Sequence, residues 1–351
     1  MVKPELENKA LIVRVSFVAL LLIAAGAYAV QMFVLPKFNS LKAPTWSYPP
    51  ESVVYRYSFQ SDGLTITFGD MSLSNPQVNT IIEQDLKAIK ASGFDGLKLN
   101  FTFQSNNFLA DRIALRASQA GLYTIGLLEG YRAKPRQRGF NAEEIREWQS
   151  FVRNEVSANK NTIYYWEIWN EPSLDLFRYG SPEEYVQLLK ATYPIIKEIN
   201  PQARVIATLS AEGRNRSDFE ETVLALGGGD YFDVISFHPY GANPYLQEDQ
   251  ILGAITQQHA LLAKYNNRWP LVISEIGQPT SEVSEAEQAR LAQFVYDQAA
   301  RNNLPVTWYY WSDEHLPAQY VASDGSANWG LIRYDGSQRP ALAAIQATFS
   351  K

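Results

Sequence analysis

Residues 164–172 read Tyr164-Tyr165-Trp166-Glu167-Ile168-Trp169-Asn170-Glu171-Pro172. The first six form a mostly apolar, aromatic-rich run, which is typical of a buried strand, and a carboxamide, a carboxylate and a proline follow it. A later run also ends in a glutamate and reads Leu271-Val272-Ile273-Ser274-Glu275-Ile276-Gly277. The carboxyl ends of parallel strands meet at one edge of a sheet, so we expect Glu171 and Glu275 to lie there together.

Around these two runs the chain alternates strand-like and helical stretches, the pattern of a parallel α/β sheet. The predicted strands are Leu64–Phe68, Gly96–Asn100, Tyr123–Leu128, Tyr164–Trp169, Val205–Leu209, Val234–Phe237, Leu271–Glu275 and Val306–Tyr310. The predicted helices span residues 77–92, 107–120, 142–158, 182–198, 217–227, 246–264, 285–302 and 340–349. Eight units favour a closed (β/α)8 TIM barrel. The alternative is an open doubly wound sheet, which usually has a glycine-rich turn after its first strand, and none is present.

Two carboxyl groups at the mouth of a barrel suit the cleavage of a glycosidic bond. One donates a proton to the leaving oxygen, and the other attacks the anomeric carbon. The structural alternative is that each glutamate forms an ion pair with a nearby lysine or arginine. The sequence itself contains no distance between the two groups, so it does not separate retention from inversion.

The motif Trp169-Asn170-Glu171-Pro172 resembles the acid/base motif of the clan of (β/α)8 retaining glycosidases that includes glycoside hydrolase families 5 and 39. The resemblance covers roughly residues 60–349. It implies that Glu171 is the general acid/base, that Asn170 binds the sugar 2-hydroxyl, and that Glu275 is the nucleophile. It also implies a retaining reaction that needs no cofactor and no metal.

Two more segments resemble this clan. In Phe237-His238-Pro239-Tyr240, the resemblance implies that His238 lines the site and that Tyr240 hydrogen-bonds the nucleophile. In Trp308-Tyr309-Tyr310-Trp311-Ser312, it implies that Trp311 is the platform on which the sugar stacks. A core histidine and packing aromatics are the structural alternatives. Trp329 is a further candidate for a wall of the cleft.

The predicted second strand departs from the pattern of many family 5 members, which carry an arginine there that supports the nucleophile. The strand reads Gly96-Leu97-Lys98-Leu99-Asn100. Either Lys98 or Asn100 replaces the arginine, or the chain belongs to another branch, such as one nearer family 39.

The first fifty residues are predicted to be separate from the barrel. Residues 15–35 form an apolar run of sufficient length to cross a bilayer as a helix. Lys3, Lys9 and Arg14 precede it, which predicts a cytoplasmic segment 1–14 and a catalytic domain outside the cytoplasm. The alternative is a cleaved signal peptide with its site at Ala27-Tyr28-Ala29, which would make the protein secreted. Residues 36–52 contain four prolines and are predicted to be an extended linker to a catalytic domain at 53–351.

The composition narrows the class of partner. The net charge of −6 argues against nucleic acid, and the absence of cysteine excludes disulfides and thiolate metal sites. The resemblance implies a poly- or oligosaccharide substrate, which we expect to be related to the cell envelope or an exopolysaccharide. The N-terminal apolar run predicts the membrane as a second partner. The alternatives are a transglycosylase that remodels a surface polysaccharide and a non-catalytic, membrane-tethered carbohydrate-binding barrel.

Overall fold

The computed structural model describes residues 52–55, 76–130, 138–174, 179–211, 217–240, 247–309, 311–313, 328–333 and 335–349. All of these belong to the second of the two units into which the chain divides, Ser40–Lys351. The predicted cytoplasmic segment, transmembrane helix and almost all of the linker lie outside the described residues. Among the helices that the structure does describe, none has the length and apolarity needed to cross a membrane.

Eight parallel strands close into a barrel in chain order, each hydrogen-bonded to the next and the eighth to the first. The strands are β1 Ser52–Tyr55, β2 Gly96–Thr102, β3 Tyr123–Glu129, β4 Tyr165–Ile168, β5 Arg204–Ala211, β6 Val234–His238, β7 Leu271–Ile276 and β8 Val306–Trp308. The predicted TIM barrel is confirmed, and the open sheet is excluded because β1 pairs with β8.

The predicted first strand is wrong. The strand that pairs with β2 and β8 is Ser52–Tyr55, whereas the predicted Leu64–Phe68 lies outside the described residues. The segment Ser52-Val53-Val54-Tyr55 is short and directly follows a proline-rich stretch, so its apolar pattern resembled the end of a linker. The barrel consequently begins at Ser52, the last residue of the predicted linker.

A helix follows each strand in the described part of the chain. The helices are α1 Pro76–Ala91, α2 Phe108–Gln119, α3 Ala142–Ala158, α4 Pro182–Ile199, α5 Ser217–Ala225, α6 Glu248–Lys264, α7 Glu285–Asn302 and α8 Pro340–Phe349. Each lies within two residues of its predicted bounds. The helix starts follow from capping chemistry, because the side chain of Ser181 accepts from the backbone of Glu184 and that of Glu184 accepts from Ser181.

The barrel interior has an apolar layer below a polar layer. One residue from each of five strands forms the apolar layer, namely Ile125, Tyr165, Ile206, Val234 and Val272. Side chains alternate along a strand, so residues two positions further along face the same way. On β4, β5, β6 and β7 those residues are Glu167, Thr208, Ser236 and Ser274, which are buried and hydrogen-bonded to one another. The polar layer lies one step below the strand ends and therefore beneath the predicted site.

Helices α2 and α3 share a pair of carboxyl groups, Asp111 and Glu155. Asn159 donates to Asp111 at 2.6 Å, and Asn107 donates to Glu155 at 3.0 Å. Burial, together with the charge of Asp111, raises the pKa of Glu155 from 4.5 to about 7. When the pKa of a carboxyl group is higher in the folded state than in the unfolded state, the unfolded state ionises first as the pH rises and is stabilised relative to the folded state. The free energy of unfolding should therefore fall as the pH rises from about 4.5 to about 7.

We predict that Glu155→Gln removes this pH dependence, because the amide stays neutral. Its free energy of unfolding at pH 8 should exceed that of the wild type by about 1 kcal/mol, measured by urea titration at several pH values. Glu147→Gln is the matched control, because Glu147 lies exposed on the same helix and accepts from Gln104. Equal pH dependence in wild type and Glu155→Gln would contradict the assignment.

Candidate active site

The loop after β4 has an unusual backbone. Trp169 has a φ of 64° and Glu171 a φ of 47°, and side chains other than glycine rarely adopt this left-handed conformation. Such strained residues persist only where their surroundings hold them, and they cluster at functional sites.

Aromatic packing holds the loop at Trp169. Its ring centroid lies 4.7 Å from that of Tyr179, 5.8 Å from that of Phe140 and 6.0 Å from that of Trp148. The Trp169 backbone N–H donates to the carbonyl oxygen of Leu128 at 2.8 Å. Gly130 leaves room for the indole, since a Cβ there would lie 2.3 Å from the ring. These contacts direct the next two residues, Asn170 and Glu171, toward the mouth of the barrel.

Glu171 and Glu275 come together there. One carboxylate oxygen of Glu171 and one of Glu275 lie within 4.8 Å of each other, and a ring nitrogen of His238 lies within the same distance of both. Glu171 is buried, whereas Glu275 is partly exposed. The structure therefore brings together two glutamates that are 104 residues apart in the chain.

His238, at the end of β6, lies beside Glu171. Its Nδ1 is 2.7 Å from Oε1 of Glu171, and its Nε2 is 2.9 Å from the hydroxyl of Ser274. Burial opposes a charged imidazole, but the hydrogen bond to Glu171 and the charges of Glu275 and Glu171 outweigh it. The pKa of His238 is consequently raised above its ordinary value. The structure thus places His238 beside both glutamates.

Tyr240 contacts the second glutamate. Its hydroxyl donates to Oε1 of Glu275 at 3.2 Å. A hydrogen bond to a carboxylate favours its ionised form and restrains its rotation. This is the contact that the resemblance implied for a tyrosine beside a nucleophile.

Asn170 is buried, and its carbonyl oxygen Oδ1 has no hydrogen-bond partner among the described residues. A buried carbonyl oxygen without a partner costs free energy that a bound donor would recover. A sugar hydroxyl is such a donor, so the geometry is compatible with the predicted contact.

Trp311, the predicted sugar platform, is buried in the structure. Its indole is 1% exposed and packs edge to face on Phe94, with ring centroids 6.2 Å apart. Phe94 precedes β2 and also packs on Phe349 of α8. Trp311 therefore packs within the hydrophobic core of the described residues, and its role as a sugar platform stays a prediction.

Trp329 lies at the site instead. It is partly exposed, its ring centroid is 6.4 Å from that of Tyr240, and it is 5.2 Å from that of Tyr309. Tyr240 itself donates to Glu275, so Trp329 packs against an aromatic side chain that contacts the paired carboxylates. The sequence contained both tryptophans in one segment, and only the path of the chain distinguishes them.

Sequence reasoning missed Glu167. Its Oε2 lies 2.5 Å from the ammonium of Lys98, and both side chains are fully buried in the polar layer. Lys98 also donates to the carbonyl oxygen of Ser274 at 3.1 Å, next to Glu275, whereas Asn100 donates to Glu129. Lys98 is thus the residue of β2 that reaches the strand of Glu275. Opposite charges in the middle of two apolar strands were the signal that could have identified the pair.

The group Glu171, His238 and Glu275 is also the only set of described side chains with the spacing of a possible metal site. Both nitrogens of His238 already have hydrogen-bond partners on the protein. The expectation that no metal and no cofactor are needed stays a prediction.

Comparison with known proteins also indicates a glycoside hydrolase. The family model described as Cellulase (glycosyl hydrolase family 5) matches residues 129–315, just over half of the chain. No curated protein matches the chain. The matched segment includes both Glu171 and Glu275.

Solved structures share the fold at low sequence identity. A family 39 glycoside hydrolase from Bacteroides cellulosilyticus is 21% identical with a TM-score of 0.62, over 78% of this chain and 62% of that one. A GH5_18 protein from Streptomyces cattleya in complex with Manb1-4GlcNAc is 16% identical with a TM-score of 0.62, over 85% and 80%. Xylanase 10B from Thermotoga maritima is 16% identical with a TM-score of 0.58, over 86% and 95%.

The two tryptophans allow a direct comparison. Trp329→Ala should raise KM for an oligosaccharide roughly tenfold, because a stacking surface is lost, while its free energy of unfolding changes little. Trp311→Ala should leave KM within about twofold of the wild type and lower the free energy of unfolding by about 3 kcal/mol. Steady-state kinetics and urea unfolding of both variants check this. A raised KM in Trp311→Ala alone would reverse the two roles.

Proposed function

Because this chain belongs to glycosyl hydrolase family 5, we propose that it hydrolyses O-glycosidic bonds of a poly- or oligosaccharide with net retention at the anomeric carbon. The observation that carries the proposal is the separation of at most 4.8 Å between oxygens of Glu171 and Glu275. Retaining glycosidases hold their carboxyl groups about 5–5.5 Å apart, and inverting ones about 6.5–9.5 Å apart to admit a water. The separation here favours direct attack by a carboxylate.

In the first step of the proposed reaction, Glu275 attacks the anomeric carbon and Glu171 gives its proton to the departing oxygen. The bond from carbon to the leaving group breaks as the ester to Glu275 forms. The hydrogen bond from Tyr240 restrains the orientation of the attacking carboxylate.

In the second step, Glu171 takes a proton from water and the resulting hydroxide displaces Glu275 from the sugar. Glu171 returns to its protonated form, and both carboxyl groups are restored. A sugar hydroxyl in place of water would give transglycosylation on the same residues. Product analysis at high substrate concentration separates transfer from hydrolysis.

Removing each carboxylate gives different kinetics. Glu275→Ala should lower kcat by about 10⁴-fold or more, and added azide should restore turnover with an inverted glycosyl azide as product. Glu171→Gln should slow substrates with poor leaving groups by roughly 10²–10⁴-fold and activated aryl glycosides far less. NMR of the product and steady-state kinetics are the measurements.

Glu282→Gln is the matched control, because Glu282 is an exposed carboxylate on the loop that follows the same strand as Glu275. It should keep wild-type kinetics. Wild-type activity in both Glu275→Ala and Glu171→Gln would exclude the proposed mechanism, whereas sugar binding without turnover in the wild type would favour a carbohydrate-binding barrel.

We also propose that residues 15–35 anchor the protein in a membrane, with the barrel outside the cytoplasm beside an exopolysaccharide or cell-envelope substrate. The apolar run and the preceding basic residues support this orientation. The family does not identify the sugar, the linkage or the location.

Deletion of residues 1–45 tests the anchor. The shortened protein starts before β1 and should fractionate as soluble, active enzyme, because the whole barrel remains. The full-length chain should sediment with membranes, and its barrel should be accessible to protease added outside the cell. Membrane association of the shortened protein would contradict the anchor. If mass spectrometry of the protein expressed from the full-length gene shows that residues 1–29 have been removed, a cleaved signal peptide is favoured instead.

A further inference from the structure

Neither Lys98 nor Glu167 takes part directly in the two steps of the proposed reaction. Burying their two charges inside the barrel nevertheless costs free energy, so the pair needs an explanation. Taking each ion out of water costs several kcal/mol unless a partner and further hydrogen bonds compensate. Here Nζ of Lys98 lies 2.5 Å from Oε2 of Glu167. Burial opposes ionisation of Glu167, but the charges of Lys98 and His238 outweigh it and lower the pKa of Glu167. Glu167 is therefore a carboxylate.

The other oxygen of Glu167, Oε1, accepts three hydrogen bonds. The hydroxyls of Thr208, Ser236 and Ser274 donate to it at 2.6, 2.8 and 2.7 Å. An ionised carboxylate has no proton to give, so it can only accept. Each of these hydroxyl protons is consequently directed at Glu167.

Ser274 connects this carboxylate to the histidine of the site. A serine hydroxyl has one proton and two lone pairs, and the proton of Ser274 points to Glu167. Only a lone pair is left for Nε2 of His238, 2.9 Å away. Nε2 must therefore carry a hydrogen and donate it to Ser274.

This assignment decides the chemistry of the other ring nitrogen. Nδ1 lies 2.7 Å from Oε1 of Glu171, and one proton occupies the space between them. When Glu171 is ionised, an imidazolium donates from Nδ1. When Glu171 holds that proton, His238 is the neutral Nε2–H tautomer and Nδ1 accepts. The tautomer with hydrogen on Nδ1 alone would turn Ser274 away from Glu167.

We propose that Lys98 and Glu167 are positioning residues for the acid/base step. They act through Ser274, which keeps a proton on Nε2 of His238. Nδ1 of His238 is consequently the atom that shares a proton with Glu171. The interior relay is thus Lys98, Glu167, Ser274, His238 and Glu171. The assignment of acid/base chemistry to Glu171 rests on the proposed function, whereas the tautomer of His238 does not.

Other ionisable groups also act on His238. Glu171 from the loop after β4 and Glu275 from β7 both favour the imidazolium, while Lys98 from β2 opposes it. Tyr240 packs edge to face on the ring, with centroids 6.4 Å apart. Loss of the acceptor at Ser274 should destabilise the imidazolium and lower the pH at which His238 titrates.

Nitrogen NMR of the histidine rings tests the relay in the full chain without substrate. The protein has three histidines, so Glu171-linked His238 is assigned by comparison with His238→Asn. In the wild type, Nε2 of His238 should stay protonated at every pH at which the protein is folded. In Ser274→Ala, the titration of His238 should move about one pH unit lower, and a fraction with hydrogen on Nδ1 alone should appear.

Ser236→Ala is the matched control, because Ser236 donates to the same oxygen of Glu167 and makes no hydrogen bond to His238. It should lose a similar amount of stability and keep the wild-type titration of His238. In kinetics, Ser274→Ala should shift the basic limb of kcat/KM against pH by the same amount, and Ser236→Ala should not.

The proposed relay would be contradicted if Nε2 of His238 carried no hydrogen in the wild type. Identical His238 spectra in the wild type and Ser274→Ala would also contradict it. Lys98→Met is a second probe, since loss of the cation should let Glu167 take up a proton and free Ser274 to donate to Nε2. The NMR spectra need no substrate, so they test the relay independently of the proposed hydrolysis. Either proposal can therefore be contradicted while the other stands.

Discussion

An ionised glutamate in the middle of a barrel persists only with a cation beside it and hydrogen-bond donors around it. Glu167 has both, since Lys98 neutralises its charge and three hydroxyls from β5, β6 and β7 donate to it. This constraint determines the polar layer beneath the strand ends. It also restricts the direction of each hydroxyl proton, and through Ser274 it extends to the histidine beside Glu171. Most of the polar order of the site follows from one buried charge.

The second support of the site is apolar. The left-handed backbone at Trp169 and Glu171 is unfavourable by itself, and an aromatic cluster on the loop and on helix α3 compensates for it. The indole fills the space that Gly130 leaves open. The carboxyl group of Glu171 is thus positioned by packing from one side and by hydrogen bonding to His238 from the other.

The missing arginine on β2 is explained by the same geometry. Lys98 donates to the carbonyl oxygen of Ser274, so it supports the strand that carries Glu275. Membership of family 5 is therefore compatible with a lysine at this place. A lysine presents a single compact charge where an arginine presents a planar fork, and here that charge lies between Glu167 of β4 and the carbonyl oxygen of Ser274 of β7.

Local patterns were sufficient for the repeating architecture and for the two glutamates, because alternation, capping residues and strand-end positions depend on near neighbours in the chain. They also identified His238 and Tyr240 as residues of the site. They failed at β1, which is short and follows prolines, and they did not indicate that Trp311 is buried against Phe94, a residue distant in the chain. They also offered Trp329 as a candidate wall of the cleft, whereas the relay from Lys98 to His238 came only from the folded barrel. Its contacts join strands up to 176 residues apart, and only barrel closure sets those distances.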